Sequence, residues 1–343
     1  MDPTSRATYE ALPDALDANS PVGVTAFPDG SVDRRCRVRV GADTAIDDRA
    51  TFGGRIEAGA SKAFRLEPGE GEPGGQAVNM AVQAHALSDD VTLYGHLDHP
   101  TLSDFPFDAV SMGDPARVSV CEFEEGDVVL TEESRDLTGW TLDDLRDVAD
   151  LDAAFGADVV CCGNWVSVPG MDDALRAAAD HLVADVFVLD PGDVTGSSEG
   201  ALLDLLDALA SLASGWTRTV LCANRAETDA LAAAVGAREV DLGEGLAAVR
   251  ERADLAGVVC HDVAAATAAT PDEVVHVANL DTDETVRETG GGDRFTAGFA
   301  HGLAVGWDWR SALALGNACA SYYVERGETI RRGEVRPYLR EYL

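Results

Sequence analysis

The chain has 343 residues, 46% of them hydrophobic, with 61 acidic and 26 basic side chains and a formal net charge of −35. That length holds one large α/β domain with an insertion or two ordinary domains, and the apolar content argues against a disordered acidic chain. The charge argues against a nucleic-acid partner, because like charges repel, and no uncharged apolar run of about 18 residues occurs, so no membrane span is expected.

Lys62 is the sole lysine among the 26 bases. An acidic, lysine-poor surface suits a salt-rich cytoplasm, because at molar salt the Debye length falls to about 3 Å and self-repulsion is screened. A halophilic, cytoplasmic protein is therefore expected. Residues 1–20, "MDPTSRATYEALPDALDANS", have no cationic stretch followed by an apolar one, so they read as a peripheral helical segment and not as a secretory signal. The remaining residues, 21–343, are expected to form one domain.

Two regions, about 34–70 and 115–134, show partial period-two alternation and turn residues such as "EEGD". They read as antiparallel strands that combine into one small sheet, a lid beside the main core. Between them, "PGGQAVNMAVQAHAL" (73–87) is a glycine pair followed by a small-residue helix. From residue 157 onward, strands and helices alternate. "ADVVCCG", "DVFVLDPG", "RTVLCAN" and "GVVCHD" are short apolar runs, separated by the helical patterns "MDDALRAAADHLV", "GALLDLLDALASLAS" and "AETDALAAAVG". Such alternation predicts a mostly parallel sheet with helices on both faces, binding ligands at the carboxyl ends of its strands. The seven cysteines are odd in number, lack any C-x-x-C pair and mostly sit in strand-like runs. They read as buried, reduced thiols and not as a zinc site.

The chemistry concentrates in four stretches. "ETGGGDRFTAGFAHGL" (288–303) places Gly290, Gly291 and Gly292 before a helix, with Asp293 in its first turn. Glycines let backbone N–H groups converge on an anion at a helix N-terminus. A carboxylate there can take a proton from an attacking hydroxyl, or simply cap the helix. Gly74 and Gly75 allow close approach to a polyol and Asn79 both donates and accepts hydrogen bonds; the alternative is an ordinary loop-to-helix junction. Asn224 and Glu227 can serve a phosphate and a hydrated Mg²⁺, or form a capping box. Asp33 stands at the entrance to the small sheet, or is a solvated turn acid. Arg117 and Arg294 can meet an anionic substrate, but read first as solvated surface arginines.

Taken together, these stretches resemble the ribokinase-like (PfkB) family of carbohydrate and nucleoside kinases over about residues 22–335. "GGGDRF" is similar to its D-T-x-G-A-G-D-x-F signature, Gly74, Gly75 and Asn79 to its G-G-x-x-x-N, and Asn224 and Glu227 to its N-x-x-E. The resemblance implies a three-layer α/β/α core with a mostly parallel sheet and a small antiparallel β lid. It implies a sugar kinase using ATP and Mg²⁺, with Asp293 as general base and Gly290–Gly292 as anion hole. Asp33, Gly74, Gly75 and Asn79 would bind the sugar. Asn224 and Glu227 would serve the nucleotide phosphates, with Glu227 holding Mg²⁺ through water, and Asn317 would line the adenine pocket. A homodimer paired through the lids is also implied.

The chain departs from the family at four places, of which Gly291 in place of alanine in the glycine loop is a harmless one. Arg287-Glu288 replaces the opening Asp-Thr, which argues against a monovalent-cation site, and "GHLDHP" replaces a Gly-Asp-Asp stretch. "CHDVAAAT" near 260 stands where the T-x-G-x-x-G nucleotide loop belongs. Its histidine, with "GGQA" upstream, is similar to ADP-dependent archaeal sugar kinases. ATP is thus the expected donor with ADP as the alternative; a nucleoside kinase or a non-catalytic sugar or nucleotide sensor are further alternatives. A Rossmann dehydrogenase is disfavoured because no G-x-G-x-x-G follows an early strand.

Overall fold

The computed structural model describes residues 1–41, 44–124, 126–282 and 285–343. Residues 42, 43 and 125 of the two regions read as small-sheet strands lie outside the described residues. The strands are β1 (Gly23–Phe27), β2 (Ser31–Val40), β3 (Thr44–Ile46), β4 (Arg65–Gly74), β5 (Asp90–Gly95), β6 (Asp108–Ser111), β7 (Ala116–Cys121), β8 (Val128–Glu132), β9 (Val159–Gly163), β10 (Val186–Asp190), β11 (Arg218–Asn224), β12 (Gly257–His261), β13 (Ala265–Ala269) and β14 (Val274–Ala278).

Among the described residues, nine of these form one sheet in the order β14-β13-β12-β11-β10-β9-β1-β5-β6. Pairing is parallel from β12 across to β6, and only the β12–β13 and β13–β14 pairs are antiparallel, so β13 alone is reversed. The reason lies in the strand sequences. In β9, Val159 and Cys161 enter one apolar cluster while Val160 and Cys162 enter the other. In β10, Val186 and Val188 divide from Phe187 and Leu189 in the same way. A strand apolar on both faces must be covered on both, which is the condition for a parallel sheet sandwiched by helices. Helices Gln76–Ala86, Gly291–Ala304 and Trp309–Arg326 cover one face; Met171–Ala178, Glu199–Ala213 and Arg225–Ala234 cover the other.

The chain order fixes where a ligand can sit. From β1 the sheet grows outward through β5 and β6, then restarts on the other side of β1 with β9 and continues to β12. The connections diverge there and leave a crevice at the carboxyl ends. Asp29, Asn164, Asp190, Asn224 and His261 stand at or just past the carboxyl ends of β1, β9, β10, β11 and β12.

Three expectations need correction. The segment 1–20 is not peripheral: helix Pro3–Ala18 buries Tyr9, Leu12 and Leu16 in the main cluster, and the Tyr9 hydroxyl donates to the Ala278 carbonyl at 2.9 Å. The region 34–70 is not all strand, because helix Arg49–Glu57 interrupts it. That helix fully buries no residue, so it has no core-facing stripe for its sequence to announce; Phe52 meets Phe64 edge to face and stacks on Phe123. The small sheet joins the two expected regions, with β2 antiparallel to β3 and β4 and β7 antiparallel to β8, but β2 and β7 are parallel. Both leave the carboxyl edge of the main sheet, β2 after β1 and β7 after β6, and so point the same way.

Candidate active site

Helix Gly291–Ala304 carries the opening residue of the site. Gly290 precedes it at φ 94°, a left-handed conformation that glycine adopts without a Cβ penalty, and no side chain caps the helix. The Gly291 N–H donates to the Glu288 carbonyl at 3.2 Å, so the first-turn donors beyond it are the ones left for an anion. Gly292 is glycine for a different reason: a Cβ there would come 2.8 Å from Cε1 of His261. The helix is held down by Phe295 and Phe299, both buried, whose rings stack at 6.0 Å. Truncating Phe299 to alanine would cost about 3–5 kcal/mol.

Asp293 sits in the first turn, 7% exposed, and accepts a hydrogen bond from Asn79 Nδ2 at 2.7 Å. Burial, reinforced by the nearby Asp190 carboxylate, pushes its pKa up to about 6. Two cavities adjoin this pair. Asp293 lines one of about 580 Å³ with Asp190, Asn224, Glu227, His261 and Asn317. Asn79 lines another of about 450 Å³ with Asp33, Arg35, Glu72, Arg287 and Arg294.

On the larger side, Asn224 and Glu227 form a reciprocal capping box, with Glu227 N donating to Asn224 Oδ1 at 3.0 Å and Asn224 N to Glu227 Oε2 at 2.8 Å. Both roles expected from sequence are thus compatible: the pair caps a helix whose first turn faces the cavity. Burial, then repulsion from Asp190, raises Glu227 to about 8. Burial keeps His261 neutral, with its pKa down at about 4. Its ring packs 5.1 Å from that of Phe295, and its Nε2 lies 3.9 Å from Asp190 Oδ2. The loop expected near 260 is the turn between β12 and β13, tethered by Asn279 Nδ2 to the carbonyls of Asp262 and Val263 at 2.8 and 2.9 Å. Asn317 lines the cavity, but its amide donates to the Tyr9 hydroxyl at 3.0 Å and the Val277 carbonyl at 3.2 Å.

On the smaller side, Asp33 accepts from Ser31 Oγ at 2.5 Å, and burial raises its pKa. Gly74 lies against this carboxyl group, which would overlap any Cβ at that position. Gly75 has φ 101°, and a Cβ there would approach Gly30 Cα to 2.8 Å. Neither glycine lines the cavity; together they make room for Asp33 and for the chain behind it. Arg117 borders a separate groove with Arg34 and His99. Arg294 is not a solvated arginine: it is 6% exposed and forms part of the cavity wall.

A buried polar network behind Asp293 escaped the sequence reading. Asp29 accepts from the backbone N–H of Gln76 at 3.0 Å and Ala77 at 2.7 Å, which caps helix Gln76–Ala86 from a distant strand. Asn164 Nδ2 donates to the same carboxylate at 3.1 Å. Gln76 Nε2 donates to Asp190 Oδ1 at 2.7 Å, and Gln76 Oε1 accepts from Asn164 N at 2.5 Å. Burial raises Asp29 to about 7 and raises Asp190 as well. "FPDG" and "LDPG" read locally as turns; only the pairing of β1, β9 and β10 brings these acids together.

Comparison with known proteins agrees with this fold. A ketohexokinase of Haloferax volcanii is 27% identical over 264 residues, 73% of this chain and 66% of that protein, just under two thirds of its length. Among solved structures, ribokinase from Thermotoga maritima has a TM-score of 0.64 at 15% identity, covering 93% of this chain and 99% of that one. Arabidopsis thaliana ribokinase, complexed with ribose and ATP, gives 0.63 at 17%, covering 93% and 98%. Adenosine kinase from Sinorhizobium meliloti gives 0.66 at 19%, covering 92% and 96%. At these identities the structures establish a common ribokinase-like fold. The family model for prokaryotic ketohexokinase matches residues 6–342, so the chain belongs to the prokaryotic ketohexokinase family.

Proposed function

We propose that this chain is a sugar kinase that moves the γ-phosphoryl group of ATP to a hydroxyl of a ketohexose. The observation that carries the reading is the place of Asp293. Its carboxyl group is at a helix N-terminus headed by three glycines, lines one cavity, and is hydrogen-bonded to the Asn79 that lines the other. The sugar would occupy the smaller cavity, near Asp33 and Asn79, and the nucleotide the larger. The sugar hydroxyl oxygen attacks the γ-phosphorus, its proton passes to an Asp293 oxygen, and the bond from the γ-phosphorus to the bridging oxygen breaks to release ADP. The backbone donors at Gly290–Gly292 would face the equatorial oxygens of the phosphoryl group in transfer. Asn79 keeps the carboxylate oriented toward the hydroxyl.

Among the described residues no three His, Cys, Asp or Glu side chains converge to chelate a metal. Glu227 and Asp190 instead border the cavity as mutually repelling carboxylates whose ionised forms a nearby cation would favour, a donor set that suits a hydrated Mg²⁺ held through water. Bound with the nucleotide, Mg²⁺ would neutralise phosphate charge.

Among the described residues no helix is long and apolar enough to cross a membrane. We place the protein in a salt-rich cytoplasm on its composition, and propose a homodimer through the small sheet, where Val129 and Leu130 of β8 are exposed.

The test is turnover in molar KCl with Mg²⁺, using D-fructose as acceptor and ATP or ADP as donor. Fructose-dependent consumption of ATP is the expected result. Turnover with ADP alone would reassign the donor, and silence with both, from folded protein, would move the reading to a sensor.

A further inference from the structure

Arg294 lies beside Asp293 in the helix, yet the kinase reading leaves it without a task. Arg294 is part of the wall of the smaller cavity and is 6% exposed as a residue. Nε donates to Thr329 Oγ1 at 3.0 Å, the group lies 4.7 Å above the Tyr323 ring centre, and Nη1 has no hydrogen-bond partner. The neighbouring Asp293 carboxylate attracts it, but among the described residues no carboxylate comes within ion-pair distance. The other two arginines of that wall are paired: Arg287 with Glu72 at 2.9 and 3.2 Å, and Arg35 with Glu122 at 2.8 Å.

In a chain with 61 acids and 26 bases, a buried arginine without a carboxylate is not explained by a shortage of partners. A desolvated guanidinium with spare donors is costly unless something accepts from them. Thr329 and Tyr323 also fix its plane before any ligand arrives, which lowers the ordering cost of binding. The charge of the cavity narrows the choice of acceptor. Asp33, Glu72 and Asp104 line it together with Arg35, Arg287 and Arg294, so acids and guanidiniums balance. A balanced cavity has no net charge for a carboxylate or phosphate to neutralise; it suits the hydroxyl and carbonyl oxygens of an uncharged sugar.

We propose that Arg294 is a specificity-determining residue that donates to a hydroxyl or carbonyl oxygen of a neutral sugar, an oxygen other than the one phosphorylated. The inference rests on the kinase reading and names the chemistry of its sugar side.

The test compares the intact protein with Arg294→Met and Arg294→Lys in molar KCl. Calorimetry measures D-fructose binding, and steady-state kinetics use D-fructose and its acidic counterpart 2-keto-D-gluconate. Removing a buried donor to a substrate oxygen should weaken fructose binding by about tenfold or more. The KM for fructose should rise in parallel, while the KM for nucleotide stays within about twofold. The lysine variant should fall between the two, because an ammonium keeps the charge but not the planar fork. Wild-type fructose affinity in both variants would overturn the proposal, as would a wild-type preference for the keto acid. If the methionine variant does not fold, unchanged fructose affinity in the lysine variant still overturns it. Wild-type protein that binds fructose without turning it over would remove the kinase reading; the calorimetric comparison would still decide the role of Arg294.

Discussion

At the residue scale, the proposed reaction turns on a carboxylate kept neutral to a higher pH than usual. With a folded pKa of about 6, Asp293 is ionised at neutral pH and protonated below. Only the ionised form accepts a proton, so kcat/KM is expected to fall as pH drops through about 6 and to level off above. A flat profile down to pH 5 would contradict Asp293 as base. Gly292 offers a second check. The His261 ring leaves no room for a Cβ there, so Gly292→Ala must displace either the imidazole or the glycine turn. Turnover should fall at least tenfold with the melting temperature little changed, since the strain is local to the site; wild-type turnover would show that the turn can absorb a methyl group.

At the scale of elements, helix Gln76–Ala86 shows how the fold serves the site. It carries Asn79 to Asp293, yet Gly75 at its start supplies no side-chain cap. Asp29, from beyond β1, does so instead. Asp29→Ala should strand those two N–H groups and cost about 1–3 kcal/mol, read as a lower melting temperature in molar KCl, with sugar affinity reduced as Asn79 loosens. An unchanged melting temperature would mean that the helix does not depend on this cap. What the sequence discloses follows the same physics. The strands from 157 to 262 are legible because burial on both faces leaves continuous apolar runs bounded by Asp, Gly and Asn. Helix Arg49–Glu57 is not, because none of its residues is fully buried and Phe52 alone packs on the small cluster, so no apolar period results. In the site, Asp293, Asn79 and Glu227 are legible through their glycine-rich or capping surroundings. Asp29, Asp190 and the burial of Arg294 arise from contacts between segments far apart in the chain, which no local pattern records.

At the scale of the whole molecule, two environmental responses follow from charge. A net charge of −35 repels itself over a Debye length of about 10 Å at 0.1 M salt and about 3 Å at 1 M. The melting temperature should therefore climb steeply with KCl; a salt-independent value would remove the halophilic reading. The buried acids add a pH response of definite sign. Asp29 and Glu227, like Asp293, bind protons more tightly folded than unfolded, with folded values of about 7 and 8. Their stabilisation is greatest below their ordinary values near 4 and is lost as pH rises through the folded ones. Between pH 5 and 8 the nucleotide-free protein should lose stability. Asp293→Asn should lessen that loss by at most about 3 kcal/mol, because a rise of roughly two pKa units corresponds to about 1.4 kcal/mol each.

The most direct measurement compares wild type and Asp293→Asn for fructose-dependent ATP turnover in molar KCl, with calorimetry confirming that the variant still binds sugar and nucleotide. The expected result is a loss of at least about a hundredfold in kcat with both ligands bound near wild-type affinity. Comparable turnover in the two proteins would show that the proton leaves by another route and that the partition between the cavities is not where the chemistry occurs.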